Sequence, residues 1–171
     1  MILTVLYCAW AAQATTGGAT EVTPRGPESP TSKAAEALVR GDVNSALQLA
    51  DKALAVRRDD AWAHYIKAAA LATLDRVDES VAEYEQAAGR FGANDRRGRS
   101  VAIWGRARVL DRAGRCAESA RAFREYADLV RPTDADSAAT AEARIQTCKA
   151  TATATQVAPG ERPVPLVSPA P

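Results

Sequence analysis

An all-α fold, built from three stacked helix pairs and closed by one further helix, is what this sequence predicts. Three observations carry the prediction. One short layout of residues recurs three times at nearly constant spacing. Apolar positions fall at helical intervals. With only 5% aromatic residues, the core must come from alanine, leucine and valine in closely packed helices. Glycine and β-branched residues are too scattered to suggest a sheet, and 171 residues suit one domain.

The recurring layout reads "RGDVNSALQLADKALAV" from Arg40, "LDRVDESVAEYEQAAGR" from Leu74 and "AGRCAESARAFREYADL" from Ala113. Gly41 aligns with Asp75 and Gly114, Val43 with Val77 and Cys116, and Ala46 with Ser80 and Ser119. Ala50, Tyr84 and Phe123 follow, then Ala53, Ala87 and Tyr126. Equivalent positions lie 34 and then 39 residues apart, with the five additional residues in "GRFGANDRRGRS". A repeat of this length is one supersecondary unit that cannot bury its apolar face alone, so neighbours stack.

Each element has a local reason. Helical stretches at residues 30–40, 61–74 and 99–113 precede the three motifs and form the first helix of each pair. Ser29 followed by Pro30 reads as a cap and a first-turn proline. Asp59 or Asp60 caps the helix that carries Trp62. Gly41 and Gly114 suit the left-handed conformation that ends a first helix, and Asp75 tolerates it less well. Ala46 and Ala50, or Ser80 and Tyr84, share one helical face, where a small residue admits the paired helix. Residues 133–148, "TDADSAATAEARIQTC", form the covering helix, with Thr133 or Asp134 at its start.

This arrangement resembles the tetratricopeptide-repeat (TPR) family over about residues 30–132. Ala68 and Ala107 occupy the family's small first-helix position, and Leu71 and Leu110 its large one. Ala46, Ser80 and Ser119 match the small residue opening the second helix. Tyr84 and Phe123 match its aromatic, Ala53 and Ala87 its later alanine, and Pro132 the closing proline. Ala50 and Tyr126 depart from the pattern. The resemblance implies a short right-handed superhelix of three TPR-like pairs plus a C-terminal capping helix, spanning residues 30–149.

It also implies a concave groove lined by the first helices, which binds a protein or peptide noncovalently. The groove candidates are Trp62, Tyr65, Trp104, Arg108 and Arg112. The last three share one face at spacings of four. The lysines and asparagines of the family's carboxylate clamp are absent: Ile66 and Gly105 occupy one aligned pair, Ala69 and Arg108 another. The alternative is a purely structural module in which Trp62 and Trp104 pack between successive pairs.

Cys116 opens the second helix of the third pair and Cys148 ends the covering helix. Two antiparallel helices of matched length, joined near Pro132, bring them to one end. A disulfide is therefore expected, against the alternative of two free thiols with Cys116 as a small apolar residue. Export is expected too, because disulfides persist in oxidising compartments.

Residues 1–14, "MILTVLYCAWAAQA", read as a signal-peptide-like segment, truncated at its basic start, with Ala12-Gln13-Ala14 as the cleavage pattern. The apolar run is too short to span a bilayer. The location expected is therefore exported, periplasmic or associated with the bacterial envelope, with a cytoplasmic adaptor as runner-up. Lipidation at Cys8 is a lesser alternative, since Tyr7 stands where a small residue is needed. Residues 15–29 form a linker, and residues 150–171 a low-complexity tail of proline, alanine and threonine.

No chemistry is expected. The chain lacks a phosphate loop and a nucleophile elbow, and His64 is its one histidine, so no cofactor, metal site or enzyme activity is predicted. The formal charge of +1 gives no net field for nucleic acid. The arginines around Trp104 (Arg96, Arg97, Arg99, Arg106, Arg108 and Arg112) are flanked by acidic residues, so nucleic acid is not the expected partner.

Overall fold

A computed structural model describes residues 29–156, with side chains to Cys148. The expected signal segment, Cys8, nearly all of the linker and residues 157–171 of the tail lie outside the described residues. Seven helices follow one another: α1 Pro30–Val39, α2 Val43–Val56, α3 Ala61–Thr73, α4 Val77–Arg90, α5 Arg96–Arg112, α6 Cys116–Val130 and α7 Ala135–Gln156. Each helix packs on the next, giving the pairs α1/α2, α3/α4 and α5/α6, with α7 lying on α6.

The turns inside the pairs share one mechanism. Gly41, Asp75 and Gly114 have φ of 79°, 58° and 71°. In each case the following N–H reaches back to a carbonyl in the last turn of the first helix: Asp42 to Ala37 at 2.9 Å, Arg76 to Leu71 at 3.0 Å, Arg115 to Leu110 at 2.9 Å. These are Schellman caps, which need a left-handed residue at that point. The second helices then begin at the aligned positions Val43, Val77 and Cys116.

The starts of the other helices depend on side-chain caps. Ser29 accepts from the Ser32 N–H as expected, and of the alternatives Asp59 or Asp60 and Thr133 or Asp134, Asp60 accepts from Ala63 and Asp134 from Ser137. The start of α5 differs. It begins at Arg96 rather than at residue 99, because Asp95 caps it by accepting from the Gly98 N–H at 2.7 Å. A Cβ on Gly98 would lie 2.3 Å from the Phe91 ring, so this glycine makes room for Phe91 instead of breaking the helix. Part of the five-residue insertion thus becomes an extra helical turn. At the other end, α7 continues past Cys148 to Gln156, where a tail was expected from residue 150.

Small residues set the distance within each pair. Ala37, Ala68 and Ala107 are fully buried on the first helices, against the fully buried Ala46, Ser80 and Ser119 on the second helices. Ser80 donates its hydroxyl to the Ala68 carbonyl at 2.8 Å, and Ser119 to the Ala107 carbonyl at 3.3 Å. Larger side chains fill the spaces on either side. Tyr84, Phe91 and Val109 pack in the middle; Phe123 and Val130 pack with Ile145 of α7. In the third pair the buried alanine is Ala127, while the aligned Tyr126 turns half outward.

The helices are not evenly spaced. The odd-numbered ones touch across pairs, α1 with α3 and α3 with α5, and the even-numbered ones do not pack on each other comparably. The row therefore curves toward its odd-numbered side. Long side chains cross the wider gap behind. Arg106 pairs with Glu85 of α4 and Glu125 of α6, and Arg115 with Asp78 and Glu118.

Cys116 and Cys148 form the expected disulfide, with Cα atoms 5.5 Å apart and a sequence separation of 32. It fastens α7 to the start of α6. Opening it by reduction, or replacing both cysteines by alanine, is expected to lower unfolding free energy by about 3–4 kcal/mol in urea titrations. In the same assay Gly41→Ala and Gly114→Ala should each cost about 1–2 kcal/mol, since neither site is crowded and only backbone conformation is at stake. Asp75→Gly should instead stabilise by up to about 1 kcal/mol.

Candidate functional site

The tighter side of the row carries an open recess of about 440 Å³ between α3, α5 and α7. One stripe of α5, Val101, Trp104, Gly105, Arg108 and Arg112, forms most of it, since these residues recur at helical spacing. Tyr65 of α3, Tyr84 of α4 and Arg144 of α7 complete the walls. Four of the five residues expected in a groove therefore meet here: Tyr65, Trp104, Arg108 and Arg112.

Trp62 does not join them. It lies in a second cleft beside α1, with Thr31, Ala35, Asp60 and Ile66. Its ring meets the edges of Phe91 and Tyr65 at centroid distances of 5.0 and 5.6 Å, and it remains 46% exposed. Trp62 thus lines the cleft beside α1, whereas Tyr65, one turn later, packs on Tyr84 and lines the recess.

The recess is held open by its aromatic floor. Tyr84 lies over Gly105, where a Cβ would come within 2.5 Å of the ring. Tyr65 braces Tyr84 at a centroid distance of 5.7 Å. Burial, with the Tyr65 ring beside it, holds the Tyr84 phenol well above its ordinary range, so it stays neutral. Trp104 has two roles. One side packs on Phe123 and Tyr126, at 5.2 and 4.8 Å, and the rest lines the recess. Tyr126 was legible only as a departure from the repeat; its use as the support of Trp104 is a tertiary fact.

The arginines of this region do not form one basic stripe. Arg106 turns to the back and pairs with two glutamates. Arg96 donates to the Leu129 carbonyl at the end of α6. Arg112 donates to the Ala72 carbonyl at 2.7 Å, near the end of α3, where the helix dipole favours a cation. Arg108 is exposed and pairs with no carboxylate among the described residues. Arg144, which sequence reading did not single out, reaches the same recess, with Asp111 3.9 Å away.

Elsewhere the polar clusters satisfy themselves. His64 Nδ1 lies 2.6 Å from Glu83 and its Nε2 lies 3.1 Å from the Arg58 carbonyl. Lys67 joins Glu83 and Asp51, each at 2.9 Å, tying α2, α3 and α4 together. Among the described residues no group of acidic, histidine or cysteine side chains is arranged to hold a metal. None of their helices is long and apolar enough to cross a membrane.

Two measurements check this geometry. Gly105→Ala should cost about 1–3 kcal/mol, because the buried Tyr84 ring must move. Burial opposes charge on Glu83, but hydrogen bonds from His64 and Lys67 outweigh it and hold its carboxyl below the ordinary 4.5. The stability this charge contributes is thus present above that value and lost as pH falls through the depressed folded one. Urea midpoints followed into acid should show this loss, and Glu83→Gln should lower stability near neutrality and flatten the acid limb.

Comparison with known family models, with curated proteins and with solved structures finds no match to this chain. What stands is a helical-repeat arrangement of sequentially packed pairs, of a kind suited in general to protein–protein interaction.

Proposed function

We propose that this chain is a noncatalytic, TPR-like scaffold that binds an extended protein segment on the odd-numbered helices of a short right-handed superhelix. One observation carries the reading: the recess between α3, α5 and α7 exposes parts of Tyr65 and Trp104 beside Arg108, which has no carboxylate partner among the described residues. Aromatic and arginine side chains are the usual anchors of protein interfaces. The setting is an oxidising one, the bacterial envelope or periplasm. The disulfide supports that location, as does the signal-like segment at residues 1–14.

A purely structural role is the second reading, and one observation favours it. Trp104 already has packing partners in Phe123 and Tyr126. Selection of random peptides displayed on phage separates the two. Binders recovered on the full chain should be lost on Val101→Gln, which places a longer neutral side chain in the recess. Failure to recover any binder sensitive to that change would favour the structural role. Location is tested by intact mass from the native host. Loss of the first fourteen residues, with both cysteines protected from alkylation until reduced, is the expected result.

A further inference from the structure

The recess holds three guanidinium groups, Arg108, Arg112 and Arg144, and one carboxylate, Asp111. This excess is local, since the whole chain carries a formal charge of only +1. It also differs from four arginine sites that are paired off within the fold. Arg76, Arg106, Arg115 and Arg131 each face carboxylates of their own fold. Arg108 has no such partner among the described residues, and Arg112 is engaged by a backbone carbonyl. Arg144 has only its long contact to Asp111.

Building on the peptide-binding reading, the geometry points to an acidic partner: an extended protein segment with one apolar side chain flanked by carboxylates. The apolar group sits against Val101, Gly105 and Trp104. The carboxylates meet Arg108 from α5 and Arg144 from α7. A volume of about 440 Å³ accommodates a few side chains, not a folded surface. Arginine forks suit carboxylates, and opposite charge sets specificity and association rate.

Nucleic acid fits less well. A strand requires a track of phosphate contacts. Here Arg106 faces the back of the row and Arg96 is held at the end of α6, so the guanidinium groups gather at one recess instead of following a path. Arg144 belongs to the covering helix, one turn before Cys148, so the site is complete only with α7 in place.

Two capped, fluorescein-labelled peptides test the assignment on the full-length oxidised chain. One carries Glu-Glu-Leu-Glu-Glu, its twin Gln-Gln-Leu-Gln-Gln. Polarisation titrations should show the acidic peptide binding about tenfold tighter or more at low salt. The difference should shrink as sodium chloride is added. It should also vanish in the Arg108→Gln, Arg144→Gln double variant, whose melting should stay near wild type because both side chains are exposed.

Equal binding of the twins would overturn the acidic preference while leaving groove binding intact, provided displayed peptides still depend on Val101. Binding of neither twin, together with a failed display selection, would overturn both readings. An acidic preference that survives the double variant would overturn this site. A labelled oligothymidylate that binds tighter than the acidic peptide would overturn it in favour of nucleic acid. Binding that appears only after residues 157–171 are removed would assign the recess to the chain's own tail.

Discussion

The close approach of the two helices within each pair is the constraint on which the rest of this structure depends. Ala37 against Ala46, Ala68 against Ser80, and Ala107 against Ser119 leave no room for any larger side chain, and all six are fully buried. The serines add a bond that alanine lacks, from hydroxyl to the facing carbonyl. A buried hydroxyl must find an acceptor, and this one finds it on the partner helix. Interiors of this kind tolerate little change of volume. The scarcity of aromatic residues thus has a structural meaning: the helices lie too close together for rings, except at the flanks of each crossing.

Those flanks produce the candidate site. Tyr84 and Phe123 sit four residues beyond Ser80 and Ser119 and project between successive pairs. They prop up Tyr65 and Trp104 from behind. Because the odd-numbered helices touch while the even-numbered ones are spread, the propped rings gather on the tighter side. Arg108 and Arg112 follow Trp104 along the same stripe of α5, and α7 brings Arg144 to its edge. The disulfide fastens that last helix. The groove is in this sense a by-product of how the repeats stack, with its charge added by exposed positions that the packing leaves free.

Much of this is legible in the residues. Left-handed turns demand glycine or a tolerant substitute, so Gly41, Asp75 and Gly114 mark the pair turns directly. Ser29, Asp60 and Asp134 announce their helices by the chemistry of capping. The two cysteines could be matched from helix length and one short turn. What escaped depended on neighbours distant in sequence. The start of α5 ahead of residue 99 depends on Phe91 filling the space of the missing Gly98 Cβ. Tyr126 reads as a lapse in the repeat until Trp104 is found beside it. Arg144 carries no local signal, because only the docking of α7 brings it to the groove. Trp62 and Trp104 look equivalent as first-helix tryptophans, yet they face different neighbours and line different clefts.

Equilibrium unfolding of Ala107→Leu, beside Ser119→Ala and an exposed control such as Val39→Leu, tests the packing claim most directly. If the helices of a pair meet at these small residues, Ala107→Leu loses about 1–3 kcal/mol or more, because a larger side chain has no space to enter. Ser119→Ala should lose only about 1 kcal/mol, the worth of one buried hydrogen bond. The control should change little. An Ala107→Leu chain as stable as wild type would show that the helices do not meet there, and the curvature and groove derived from that contact would fall with it.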